Sequence, residues 1–275
     1  MTATKMYKKI LSLNGTALGH GTYGCVTVVR YLGKRYAVKR VPVNEYATLY
    51  AAVREEHYGQ LQHRNLVRRY YSWWSRGIWF GVYEVGVVLE VPNGVPNPSK
   101  ALACLRDISR GVAFLHARGI AHRDIKPANI INTDEGYKLI DFGLARPFGS
   151  FDTSQTGYTC SRWWRPPELL DGDTTDCRCD VWSLAVVCLS IQRGKQVVMG
   201  SVEAMLSALP IVLSKSESVY GDMLVRDRCS IFDVCDKLGI RYNLDVSVRL
   251  PSLLRRKVLL GEDVEWHRYR KKGIR

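Results

Sequence analysis

The stretch His122-Arg123-Asp124-Ile125-Lys126-Pro127-Ala128-Asn129 decides the fold when read together with Asp141-Phe142-Gly143, which follows it after a hairpin-like run. Asn129 lies five residues beyond Asp124, and Asp141 lies seventeen beyond it.

Toward the N-terminus, Leu18-Gly19-His20-Gly21-Thr22-Tyr23-Gly24-Cys25-Val26 carries glycines in a G-x-G-x-x-G pattern, after one expected strand and before another. Ahead of a helix such a pattern points to a dinucleotide fold. Between strands it points to a glycine-rich flap over nucleotide phosphates, because glycine lets backbone N–H groups approach anionic oxygens with no β-carbon in the way. Ala37-Val38-Lys39 falls in the following strand, where alternation turns Ala37 and Lys39 to one side. A small residue there leaves room for a flat adenine, and a lysine reaches phosphate oxygens as a point charge.

These elements, in this order, resemble those of protein kinases. The resemblance implies an α+β, bilobal fold: a small antiparallel β-sheet lobe with one helix, and a larger, mainly helical lobe. It implies that Asp124 accepts or orients the proton of a substrate hydroxyl, that Asn129 and Asp141 hold Mg2+, and that Lys39 grips phosphates of ATP. Lys126 is implied to neutralise the transferring phosphoryl group, so the catalytic set is Asp124, Lys126, Asn129, Lys39 and Asp141. The nucleotide-binding set is Leu18, Gly19, His20, Gly21, Thr22, Tyr23, Gly24, Cys25, Val26, Ala37, Lys39, Glu55 and Glu84. A lysine two residues past the base resembles the serine/threonine branch rather than the tyrosine kinases, so protein serine and threonine side chains are the expected substrates.

The segment from Asp141 to Glu168 contains Leu144-Ala145-Arg146 and ends in Arg162-Trp163-Trp164-Arg165-Pro166-Pro167-Glu168. It resembles the activation segment of cyclin-dependent kinases. Ungapped alignment puts Thr156 where that family's activating phosphothreonine lies, which makes an upstream kinase an expected partner. Arg54, Arg123 and Arg146 match the family's phosphate-gripping cluster, and planar guanidinium forks suit a phosphate dianion. Asp180-Val181-Trp182-Ser183-Leu184 resembles the buried aspartate that opens a long helix of the large lobe and holds the catalytic loop.

The kinase domain is expected over 11–275, with the small lobe over 11–91 and the large lobe over 92–275. Residues 11–43 read as β, with a hairpin around Leu32-Gly33-Lys34-Arg35. Tyr46, Leu49, Tyr50 and Val53 fall at i, i+3, i+4 and i+7, so an amphipathic helix is expected from about 45 to 61, capped by Asn44. Family spacing makes Glu55 the partner of Lys39, whereas helical phase sets Glu56 on the stripe of Leu49 and Val53; Glu55 is preferred. Leu66 to Trp74 and Ile78 to Leu89 read as strands, with Tyr83-Glu84-Val85 as the adenine-contacting hinge. A Pro-, Asn- and Gly-rich run over 92–98 marks the division between lobes, and Leu102, Leu105, Ile108, Val112 and Leu115 give a helix over 99–118 that Gly119 stops.

After Ile191 the resemblance fades, which implies a reduced large lobe, and Arg249, Arg255 and Arg256 are the candidates to pair with Glu168. The helix over 45–61 lacks a cyclin-binding sequence, so cyclin dependence is not inherited. Leu66 to Trp74 instead resembles Wee-type and initiation-factor-2α kinases, and this mosaic raises a compact viral kinase as an expectation.

Composition is compatible with one two-lobed folded domain: among 275 residues 46% are hydrophobic and 24% charged, against either disorder or a fibrous repeat. Eight cysteines without paired CxxC knuckles read as reduced thiols and not as a zinc site. No leader-like apolar core and no long apolar run occur, so the expectation is a soluble intracellular protein of cytoplasm or nucleus, inside an infected host cell if the origin is viral, with no membrane partner. The net charge of +14 calls for an anionic partner, such as acidic substrates, and the densest basic clusters are Arg255-Arg256-Lys257 and Arg268 to Lys272. Nucleic-acid binding is not the expected primary function, because the tryptophans and tyrosines fall inside expected strands and kinase motifs. The alternative is a catalytically inactive pseudokinase scaffold, against which Lys39, Asp124 and Asp141 all stand in place.

Overall fold

The computed structural model describes residues 3–21, 23–148, 162–170, 176–197, 219–225 and 227–242. Thr156, Arg249, Arg255, Arg256 and the C-terminal basic clusters lie outside the described residues, as do Thr22 and the side chain of His20.

Strands β1 (Thr16–Gly21), β2 (Gly24–Tyr31), β3 (Lys34–Pro42), β4 (Arg69–Ser75) and β5 (Ile78–Tyr83) form an antiparallel sheet in the order β1-β2-β3-β5-β4. Two of its hairpins close through residue pairs with positive φ, Leu32 (49°) with Gly33 (77°), and Arg76 (46°) with Gly77 (73°). Left-handed pairs of this kind let the twist of both strands continue through a two-residue turn.

Helix α1 (Ala3–Leu11) covers one face of the sheet, where its fully buried Ile10 packs with Val29, Tyr36, Val38 and Val82. Residues of α1 ahead of position 11 thus pack against the sheet.

Helix α2 (Tyr46–Tyr58) packs in the other core cluster, alongside Val41 and Trp79. It starts after Glu45 as N-cap, a correction to Asn44: the Glu45 amide donates to Thr48 Oγ1 at 3.3 Å, while Asn44 Oδ1 accepts only from the Thr48 hydroxyl. It stops at Gly59 rather than near residue 61.

The strand expected from Leu66 begins at Arg69, because the Val67 amide instead donates to the Leu139 carbonyl at 2.9 Å. The run expected as one strand over 78–89 breaks after Tyr83 and resumes as β6 (Val87–Val88) in a second sheet, beside β8 (Ile130–Thr133) and β9 (Gly136–Leu139). The chain thus leaves one sheet and enters another across residues 84–86, which makes this the link between lobes.

The large lobe is built on α3 (Pro98–His116) and α5 (Cys179–Arg193), with the short helices α4 (Pro167–Leu170), α6 (Val219–Met223) and α7 (Ile231–Lys237) around them. Leu105, Ile108 and Val112 of α3 join Leu184, Val187 and Leu189 of α5 in a core continuous with Leu49 and Val53 of α2. Beyond α3, β7 (Ile120–Ala121) pairs with β10 (Arg146–Pro147), and the segments between β7 and β8 and between β9 and β10 carry the expected catalytic residues.

Candidate active site

The loop between β7 and β8 is held from below by Asp180 at the start of α5. Its Oδ2 accepts the His122 amide at 2.8 Å and its Oδ1 accepts the Arg123 amide at 2.7 Å, while His116 Nε2 lies 3.0 Å from Oδ2. Burial pushes this carboxyl up, but His116, the nearby His122 and the Arg123 amide outweigh burial and hold it below the ordinary aspartate range. The reward is geometric: Arg123 is kept at φ 68°, a left-handed conformation that costs a non-glycine residue about 1–3 kcal/mol.

With the loop so turned, Asp124 is buried and asymmetric. Its Oδ2 accepts from Lys126 Nζ at 2.8 Å and from Asn129 Nδ2 at 2.7 Å, whereas its buried Oδ1 has no hydrogen-bond partner among the described residues. Burial raises the Asp124 pKa, with Lys126 opposing the shift. Asn129, in the 3-10 turn Pro127–Asn129, also donates Nδ2 to the Asp124 carbonyl at 2.8 Å. Its amide nitrogen is therefore committed to Asp124.

The second cluster gathers three chain segments on one ammonium. Lys39 Nζ of β3 lies 2.5 Å from Glu55 Oε1 of α2 and 2.9 Å from Asp141 Oδ1. Burial alone would lower the lysine, yet Asp141 and Glu55 outweigh it and hold the ammonium well above its ordinary range. The same lysine overcomes burial at Asp141 and holds that carboxyl well below the usual carboxylate range. Asp141 has φ 67°, and its Oδ1 also accepts the Gly143 amide at 3.1 Å. Phe142 is buried edge-on to His122, and its amide donates to Glu55 Oε1 at 3.1 Å.

Glu56 takes no part in this cluster, accepting instead from Trp79 Nε1 at 2.9 Å. The phase argument for it fails because α2 is buried around most of its circumference, so the stripe of Leu49 and Val53 does not mark the face that meets Lys39.

The family described as protein kinase domain matches residues 13–217. The chain belongs to the protein kinase family. It is 30% identical over 201 residues to cyclin-dependent kinase D-1 of Oryza sativa subsp. japonica, an alignment covering 69% of this chain and 47% of that one. It is 33% identical over 218 residues to the CTD kinase subunit alpha of Schizosaccharomyces pombe, with 71% and 35% covered. A third relative is the serine/threonine-protein kinase hippo of Drosophila melanogaster, 30% identical over 188 residues, with 65% and 28% covered. The chain spans half or less of the length of these relatives, and the kinase domain resembles the serine/threonine, cyclin-dependent type.

In this kinase the glycine-rich segment spans β1, the turn and β2, with Gly19 opposite Val26 and Gly21 opposite Gly24. Gly24 has no room for a side chain, since a β-carbon there would meet the Arg40 carbonyl oxygen at 2.0 Å. Leu18 is exposed, Tyr23, Cys25 and Val26 are half-buried, and Ala37 pairs with Val28 on one side and Tyr83 on the other. At the hinge, the Glu84 carboxylate is turned to other work: it accepts from Lys138 Nζ at 2.9 Å through both oxygens and from the Arg68 amide at 2.6 Å. The Glu84 amide is committed as well, donating to the Arg68 carbonyl at 3.0 Å.

Arg54 is 2% exposed and donates Nη1 to the Gly143 carbonyl at 3.1 Å, while its buried Nε and Nη2 have no partner among the described residues. Burial, then the charges of Arg146 and Arg123, hold this guanidinium below its ordinary range, so the three arginines converge. Glu168 has a partner the motif reading did not single out. Among the described residues Arg228 forms a bidentate pair with it at 2.6 and 2.8 Å, while the expected candidates Arg249, Arg255 and Arg256 lie outside the described residues. No motif surrounds Arg228 in the sequence. Nor does any spacing rule single out His116, Lys138 or Trp79, whose roles are set by contacts across the fold.

Proposed function

We propose that this kinase transfers the γ-phosphate of Mg-ATP to serine and threonine side chains of proteins. The observation that carries the reading is Asp124 Oδ1, a buried carboxylate oxygen with no partner among the described residues, on a residue whose other oxygen is held by Lys126 and Asn129. A substrate hydroxyl supplies the donor that this oxygen lacks.

The donors present fit the cofactors. Asn129, with its amide nitrogen committed to Asp124, and Asp141, held ionised by Lys39, offer oxygen ligands of the type Mg2+ takes. The segment 18–26 and Lys39 would hold the phosphates, with Ala37 and the hinge at Glu84 toward the adenine. When bound, ATP supplies the phosphoryl group, and magnesium supplies charge against its oxygens. Phosphoryl transfer passes through a loose, charge-spread state, so the protein's work is positioning and electrostatics. Asp124 accepts or orients the hydroxyl proton, and Lys126 offsets negative charge beside it.

Activation by phosphorylation belongs to the same reading. Arg54, Arg123 and Arg146 carry like charges close together with two buried donors of Arg54 unspent, an arrangement that a phosphate dianion relieves. Phosphothreonine at position 156, placed by an upstream kinase, is the proposed anion. Among the described residues no helix is long and apolar enough to cross a membrane.

The test is radiolabel transfer from Mg-ATP to a panel of proteins, comparing wild type with Asp124→Asn and Lys39→Met, followed by phosphoamino-acid analysis. Label on serine or threonine that both variants abolish is expected. Nucleotide binding without transfer, in chain phosphorylated at Thr156, overturns catalysis in favour of a pseudokinase scaffold. Full activity of the dephosphorylated chain overturns the regulatory part.

A further inference from the structure

The pair that couples Lys39 to Glu55 is only as good as the position of α2, and the last turn of that helix is tied down by residues of the sheet itself. Tyr83, at the end of β5 and 7% exposed, donates its hydroxyl to Glu55 Oε2 at 2.9 Å, leaving Oε1 for Lys39 and the Phe142 amide. Burial, reinforced by the Glu55 charge, pushes this phenol well above its ordinary value, so it stays a donor. One residue along the helix, Glu56 Oε2 accepts from Trp79 Nε1. From β4, Arg69 reaches the helix backbone: Nη1 donates to the Glu55 carbonyl at 2.7 Å and Nη2 to the Glu56 carbonyl at 3.1 Å. The Glu55 carbonyl already accepts the Gly59 amide at 3.0 Å, so Nη1 is a second donor there, and the guanidinium as a whole sits at the negative end of the helix dipole, which attracts it.

Strand alternation puts Trp79, Gly81 and Tyr83 on one face of β5. Gly81 makes that arrangement possible, because a β-carbon at 81 would lie 2.5 Å from the Tyr83 ring and 2.7 Å from the Trp79 ring. The two large side chains close over the space where residue 81 has none, and each ends on a carboxylate of α2.

We propose that Tyr83, Trp79 and Arg69 are positioning residues that lock the last turn of α2, so that Glu55 stays on Lys39 without a partner protein docked against the helix. Tyr83 fixes the carboxylate, Trp79 fixes its neighbour, and Arg69 fixes the backbone between them. The nucleotide part of the test rests on the Mg-ATP reading given above, whereas the exchange part does not.

The experiment uses the full chain purified alone. Hydrogen exchange of the amides at 54–59 is expected to be slow in wild type and faster in Tyr83→Phe, which keeps the ring and removes only the donor. ADP affinity is expected to fall about tenfold in Tyr83→Phe, the scale of one hydrogen bond to a charged group. On a Lys39→Ala background the same change is expected to cost nothing further, because Tyr83 acts through that pair; a purely structural role would be additive. Glu56→Gln, which keeps an oxygen for the indole N–H, is expected to match wild type, while Glu56→Leu releases the helix. Fast exchange at 54–59 in wild type, unchanged exchange in Tyr83→Phe, or additivity with Lys39→Ala would overturn the proposal. A wild-type chain that binds no nucleotide but keeps the exchange pattern supports the lock and removes the Mg-ATP reading alone.

Discussion

Arg228 and Glu168 meet fork to fork across sixty residues of chain, with Nη1 2.6 Å from Oε1 and Nη2 2.8 Å from Oε2. The pair joins α4 to the segment ahead of α7, and the guanidinium also lies over the Trp182 ring at 5.3 Å. Removing one partner of a buried ion pair strands the other charge at a cost of about 3–5 kcal/mol. Arg228→Ala is expected to lower stability by that amount in urea unfolding. Glu168→Ala added to it is expected to cost much less than it does alone, because the stranded carboxylate is gone.

Asp180 makes stability depend on pH in a stated direction. Its folded pKa is depressed, so the stabilisation it provides is fully present above the ordinary aspartate value and is lost as pH falls through the folded value. Asp180→Asn is expected to melt well below wild type at neutral pH, and the gap is expected to narrow as pH falls below about 4. A gap that stays constant down to pH 3 would falsify the assignment of that stabilisation to the ionised carboxylate.

Lys138 bears on nucleotide binding through the hinge. It is 3% exposed, and its ammonium holds both oxygens of Glu84. Lys138→Met frees that carboxylate within the link between lobes. The expected result is a rise of about tenfold or more in KM for ATP with kcat within about twofold, since one pair holding a charged group is worth about 1.5–3 kcal/mol, every step of about 1.4 kcal/mol is tenfold, and none of the transfer residues is touched. A fall in kcat at unchanged KM would place Lys138 elsewhere in the cycle.

Gly194 closes α5 at φ 66°, and a β-carbon there would lie 2.4 Å from the Val95 carbonyl carbon. The loop ahead of α3 rests on this turn through the Gly94 amide, which donates to the Gly194 carbonyl at 2.7 Å. Gly194→Ala combines left-handed strain of about 1–2 kcal/mol with that clash. Thermal unfolding is expected to show a marked loss, while ADP affinity measured well below the transition stays at the wild-type value.

Sequence alone was sufficient wherever the chemistry is contiguous. Asp124, Lys126 and Asn129 lie within six residues, so their joint use is written in one loop, and Lys39 with Ala37 follows from strand alternation. The strands and helices around them were readable because their apolar positions keep periods of two and 3.6. Boundaries drifted where a tertiary contact outbid propensity: Leu66 and Val67 read as strand, but pair with Leu139 instead.

What only the tertiary structure decided is which distant groups meet. Glu55 and Glu56 are adjacent and chemically identical, and nothing local separates them; the packing of α2 on β3 and β5 sends one to Lys39 and the other to Trp79. Arg228 finds Glu168, Lys138 finds Glu84, and Tyr83 finds Glu55 for the same reason. A side chain's type is a property of the chain, but a buried charge is stable only beside the partner that the fold delivers, and that partner carries no mark in the local sequence.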